Sequence, residues 1–144
     1  MNNNQERNKA NFTRLYDEVM NKGNIDVADE LITEDRPDHD PNLPPEFTVG
    51  RQGFKNFFMM FRAGFPDLKF TSEFMVAEGD MVVSYNTVEG THTGNFMGMP
   101  ATNNKFKVVN ADIARFNDEG QIAEHWGVFD MGAMMKQLGV MPPM

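Results

Sequence analysis

Between Gly64 and Leu68 the hydrophobic pattern of this chain changes period. Before that point the apolar residues keep the three- and four-residue spacing of a helix face. They fall at Phe12, Leu15, Tyr16, Val19 and Met20 ahead of Gly23, then at Phe54, Phe57, Phe58 and Phe61 ahead of Gly64 and Pro66. After it, Leu68, Phe70, Phe74 and Val76 alternate with polar neighbours, and "MVVSYNTVEG", "FKVVNADIARF" and "QIAEHWGVF" are β-branched, strand-like runs separated by turn residues. Helices first and antiparallel strands afterwards define an α+β domain whose sheet buries one face against the helices. A strongly curved sheet wrapped over a long helix would enclose a pocket.

Smaller signals complete this outline. A short helix is predicted from Ile25 to Ile32 with Asn24 as its N-cap. Four prolines between Arg36 and Gly50 forbid a continued helix, so "RPDHDPNLPPEFTVG" reads as an extended, looping excursion. A last helix, "MGAMMKQLG", starts beside Asp130 as a cap and stops at Gly139, leaving "VMPPM" as a tail. No repeat or linker divides the chain, and its 144 residues are expected to form a single domain, 1–144.

Composition narrows the functional classes. A formal charge of −8 with 13 Lys and Arg argues against a nucleic-acid partner, which needs clustered cations. The absence of cysteine excludes a disulfide framework, a thiolate nucleophile and a Cys-type zinc site. No apolar run has the length of a membrane span or the form of a signal peptide, so a cytoplasmic protein without a membrane partner is expected. Thirteen Met and thirteen Phe suit either a soft core or subunit interface, or the lining of an adaptable apolar pocket.

Polar residues of chemical interest concentrate near the end. If Asn117–Gly120 forms the tight connection between the last two strands, Phe116 faces Gln121. Counting back then sets Asp112 opposite His125 and Asn110 opposite Gly127. A carboxylate facing an imidazole fixes its tautomer and raises its basicity, leaving the other ring nitrogen to move a substrate proton; a structural salt link uses the same pair. His39 in "PDHDP" either looks back into the sheet cavity or lies in water, and His92 in "GTHTGNF" stands at a strand end beside accessible backbone donors. The three histidines with Asp38, Asp40 and Asp112 match no dedicated metal motif, and no metal is expected. Trp126 points away from His125 and is read as packing or a subunit contact. Gly127 is unusual, since a strand glycine signals a bulge or the close approach of a ligand or backbone.

Taken together, "RLYDEVMNKGNIDVADELIT", "DHDP", "GRQGFKNFFMMFRAGFPDLKF", "AEGDMVVSYNTVEGTHTGNFMGMPAT" and "DIARFNDEGQIAEHWGVFDMGAMMKQLG" resemble the SnoaL-like polyketide cyclases of the nuclear transport factor two-like superfamily. The resemblance spans nearly the whole chain. It implies a cone closed by a bent sheet, a mostly apolar pocket, a homodimer or higher homo-oligomer, and cofactor-independent aldol closure of a polyketide ring. It also implies an acid on the final strand, helped by a histidine on the strand beside it. Matched through the shared histidine and final Asp of "GQIAEHWGVFD", that acid falls on Gly127 and the helper on Asp112. The chain therefore departs from the pattern at both positions.

The expected function is acid–base chemistry next to the carbonyl of a small, largely apolar compound, with Asp112 and His125 sharing the proton transfers. His39, His92, Asn110 and Gly127 would line the substrate site. The alternative is a non-catalytic small-molecule binder of the same fold.

Overall fold

A computed structural model describes residues 3–140; residues 141–144 of the expected tail lie outside the described residues. Helix α1 (Asn3–Arg14) continues through Leu15–Asn21 in wider, π-type turns that carry the buried face Leu15, Tyr16, Val19 and Met20. A turn of 3-10 helix at Ile25–Val27 leads into the short α2 (Ala28–Leu31), and Asn24 makes no side-chain capping bond there. Helix α3 (Gly50–Gly64) buries Phe54, Phe58 and Phe61, as their spacing predicts.

Four antiparallel strands follow in the order β1-β2-β3-β4: β1 (Lys69–Glu78), β2 (Met81–Thr91), β3 (Lys105–Phe116) and β4 (Ile122–Phe129). Helix α4 (Met131–Leu138) closes the chain, with the Asp130 carboxylate accepting from the Ala133 N–H at 3.1 Å and Gly139 taking the left-handed cap conformation. The domain is α+β, an open antiparallel sheet with helices packed on one face.

The alternation read in β1 holds only halfway. Leu68 and Phe70 are buried, but a bulge between Ser72 and Phe74 shifts the register, leaving Phe74 and Val76 each 56% exposed on the outer face. Met75 and Ala77 pack inward instead. The core lies between the inner sheet face and the helices, where Phe12 stacks on Tyr16 at 5.1 Å, Tyr16 on Phe70 at 5.7 Å, and Phe58 meets Phe70 edge-on at 5.9 Å. Each such ring removed from water contributes roughly 1.5–3 kcal/mol.

The proline-rich excursion is an ordered strap. Its residues 37–39 run parallel to β4, with the His125 N–H donating to the Pro37 carbonyl at 3.1 Å and the His39 N–H to the His125 carbonyl at 2.8 Å. Extended backbone alternates its side chains, so Asp38 and Asp40 turn inward and His39 turns outward.

Candidate active site

Hairpin geometry brings the polar groups together, in a register two residues from the expected one. A shift between Arg115 and Phe116 pairs Asp112 with Gly127, Ala114 with His125 and Asn110 with Phe129. An even displacement keeps every side chain on its original face, so Asp112 and His125 still meet, diagonally rather than directly opposite. Their Oδ1 and Nε2 atoms are 2.9 Å apart.

The other ring nitrogen is not free. His125 Nδ1 lies 2.9 Å from Asp38 Oδ1, so the imidazole bridges two carboxylates. Asp38 Oδ1 also accepts from the Asp40 backbone N–H at 3.0 Å, and Asp38 Oδ2 accepts from Arg36 Nη1 at 2.8 Å. Across the pocket wall, Asp112 Oδ2 accepts from the Tyr16 hydroxyl at 2.7 Å and from Asn86 Nδ2 at 3.2 Å. Asn86 also donates to Asn110 Oδ1 at 2.8 Å and accepts from Ser84 Oγ at 2.7 Å. Ser84, Asn86, Asn110 and Asp112 are all buried on inward-facing sheet positions, and each makes at least one of these bonds.

Electrostatics follow from this enclosure. Burial alone would lower the His125 pKa, but the hydrogen bonds and charges of Asp112 and Asp38 outweigh it and raise it to about 9. At neutral pH the ring is therefore an imidazolium donating to both carboxylates. Burial pushes Asp38 upward, yet His125 and Arg36 together bring it down to about 2. Burial, with the charge of Asp112, holds the Tyr16 hydroxyl well above its ordinary value, so it stays protonated and donates. Asp40 behaves differently: burial and the charges of Asp38 and Asp112 raise its pKa, against the lowering effects of the Asn42 N–H and His125.

Asp38, Asp40, Asp112 and His125 line a pocket with a free volume of about 80 Å³, and Tyr16 and Asn86 support Asp112 from behind that wall. Most of the rest of its wall is apolar, with Phe12, Phe54, Phe58, Phe61, Phe96 and Phe129 joined by Met20, Met97, Met131 and Met134. Arg36 also lines it, 2% exposed, its guanidinium 5.6 Å from the Phe54 ring centre. Arg36 Nε and Nη2 are buried and have no hydrogen-bond partner among the described residues. An unpaired buried donor costs about 1–3 kcal/mol, so two on one cation mark a place where an acceptor belongs.

Asn110, Asp112 and His125 are among the residues lining this pocket, and Gly127 is not. Nor are His39 and His92. His39 stacks on Trp126 at 5.2 Å on the outer face and bonds Glu124 at 2.8 Å, because it stands between two inward-turned aspartates. His92 is fully buried against Phe65 at 5.0 Å, with Nδ1 3.1 Å from the Thr102 hydroxyl. Gly127 marks a close approach: a Cβ built there would lie 2.8 Å from Asp40 Oδ2 and 3.1 Å from His125 Cε1. Among the described residues no cluster of three or more His, Cys, Asp or Glu is arranged to hold a metal ion.

Arg36, Tyr16 and Asn86 join the site without a sequence signal, and Asp38 and Asp40, weighed from the sequence only as metal ligands, join it as pocket carboxylates. The available signal was the inward–outward alternation of "DHD", usable only once that segment is known to lie along β4.

An α+β fold enclosing an apolar pocket with a titratable wall defines a class of small-molecule-handling proteins, and the comparisons narrow it. The family model for SnoaL-like polyketide cyclase matches residues 10–138, and the chain belongs to that family. It is 30% identical over 124 residues to the nogalonic acid methyl ester cyclase of Streptomyces nogalater, an alignment covering 84% of this chain and 90% of the relative. Among solved structures, a candidate SnoaL-like polyketide cyclase from Jannaschia sp. CCS1 superposes with a TM-score of 0.87 at 26% identity, covering 99% of this chain and 98% of that one. IdmH, a candidate polyketide cyclase from Streptomyces antibioticus, gives a TM-score of 0.79 at 33% identity over 92% of this chain and 99% of its own.

Proposed function

We propose that this chain is a cofactor-independent enzyme acting on a largely apolar carbonyl compound, removing a proton next to the carbonyl to drive aldol-type ring closure or isomerisation. The observation that carries this reading is the Asp38–His125–Asp112–Tyr16 chain of hydrogen bonds, whose first three members line a largely apolar pocket. Asp112 and His125 work as one unit. His125, kept protonated by Asp112 and Asp38, sets a positive charge in the pocket wall where the enolate develops, while Tyr16 and Asn86 hold the second carboxylate oxygen of Asp112 in place. The unfilled Nε and Nη2 of Arg36 offer donors to the substrate oxygen as it becomes an oxyanion. Flexible methionines in the wall let it adjust to a larger ring system.

The name of the Streptomyces nogalater relative supplies a first substrate to assay, nogalonic acid methyl ester. Asp112→Asn and His125→Ala are expected to lower turnover of a converted substrate by about 10²–10⁴-fold, the range for lost acid–base groups. Unchanged turnover in both would remove the pair from the chemistry.

A second reading, a non-catalytic binding protein, draws support from the full occupancy of both His125 ring nitrogens. Native mass spectrometry separates the two readings: a co-purified ligand recovered unchanged after prolonged incubation supports binding alone. The chain is further proposed to act as a homodimer in the cytoplasm. Support for the dimer comes from the outer sheet face, where Phe74 stacks on Tyr85 at 5.3 Å and Val128 is 64% exposed.

A further inference from the structure

We propose that Asp40, on the strap beside β4, is the carboxylate that takes the proton from the substrate carbon and later returns it. The inference rests on the carbonyl reading above and goes beyond it by naming the group that touches the reacting atom.

The first ground is occupancy. Every oxygen of Asp38 and Asp112 already accepts at least one hydrogen bond, and both ring nitrogens of His125 are engaged. Asp40 Oδ1 accepts from the Asn42 N–H at 2.8 Å, but Oδ2 has no hydrogen-bond partner among the described residues. It is the pocket-lining carboxylate with an oxygen to spare.

The second ground is space. Gly127 carries no side chain, and a Cβ there would lie 2.8 Å from Asp40 Oδ2, so the missing side chain leaves the room that this oxygen occupies. The strap fixes the approach, because the Asp40 N–H is held by Asp38 Oδ1 and the Asn42 amide donates to the Phe129 carbonyl at 3.2 Å. The third ground is proton affinity. Burial raises the Asp40 pKa, helped by the charges of Asp38 on the strap and Asp112 on β3, while the Asn42 N–H and His125 on β4 oppose them. A carboxylate poised above its ordinary range is a better base toward a carbon acid and a better donor afterwards.

The step balances without any added reagent. The C–H bond next to the carbonyl breaks, its proton moves to Asp40 Oδ2, and the electron pair becomes the enolate, with charge on the oxygen. In ring closure the enolate carbon bonds to a second carbonyl carbon of the same molecule, and that oxygen takes the proton back from Asp40.

The test is solvent deuterium exchange at the acidic carbon of 2-tetralone and of nogalonic acid methyl ester, followed by proton NMR in D2O. Asp40→Asn should lower the exchange rate at least about 100-fold with thermal unfolding unchanged. The acid limb of the wild-type pH profile should vanish with it. Gly127→Ala, whose new methyl displaces Asp40 Oδ2, should lower exchange about 10-fold or more, whereas His39→Gln on the outer face should stay within about twofold. Full exchange in Asp40→Asn overturns the role of Asp40 alone. No exchange by the wild-type chain on either compound overturns the carbonyl reading and Asp40 with it.

Discussion

At the scale of residues, the site is held by charge pairing that is sensitive to pH. The His125 pKa is raised in the folded chain, so the stability it contributes is complete below its ordinary value of 6.5 and is lost as pH climbs through about 9. The size of the effect is on the order of 3 kcal/mol. The stability of the wild-type chain to urea should therefore fall between pH 6.5 and 9, and His125→Ala should flatten that slope; an unchanged slope would mean that the ring is not charged in the fold. Asp38 runs in the opposite sense: its stabilisation is present above its unfolded value of 3.8 and is lost as pH falls through about 2. Tyr16→Phe removes one of two donors to the buried Asp112 Oδ2, while Asn86 keeps Asn110 and Asp112 as acceptors, and is expected to cost about 1–3 kcal/mol in urea unfolding.

At the scale of elements, the helices were legible because each buries a face that repeats along the chain. Asp130 was legible as a cap because its role is local, and Asp130→Ala should lower stability by about 1 kcal/mol, seen as a small drop in melting temperature. The strands were legible as strands but not in register. No residue type announces the bulge at Ser72/Phe74 or the shift at Arg115/Phe116, since both are settled by what packs on each face. The Asp112–His125 contact was nonetheless anticipated, because a slip of two preserves the face. Asp38, Asp40 and Arg36 escaped because their placement depends on the strap lying against β4, a pairing between residues 87 apart. The outward placement of His39, one of the two the sequence left open, depends on the same strap. The resemblance directed attention to position 127 for an acid, whereas the carboxylate beside that glycine is carried by the strap.

At the scale of the whole molecule, one face of the sheet serves the pocket and the other is apolar and open. Phe74, Val76, Val109 and Val128 are 56%, 56%, 42% and 64% exposed, with Tyr85 beside them. Exposed apolar residues gathered on one sheet face are the ground for the proposed homodimer. Sedimentation of the wild-type chain should give a dimer, and Phe74→Lys with Val128→Lys should shift it toward monomer at micromolar concentration. A wild-type monomer would dismiss that assignment.

The strap has a consequence apart from chemistry. β4 is a terminal strand of the sheet, and an uncovered edge of this kind invites pairing with other chains. Residues 37–39 occupy backbone groups of that edge, so the segment that delivers Asp38 and Asp40 to the pocket also guards the sheet against edge-to-edge assembly. Substitutions that loosen it should thus cost solubility along with activity, and selection for either property would preserve both.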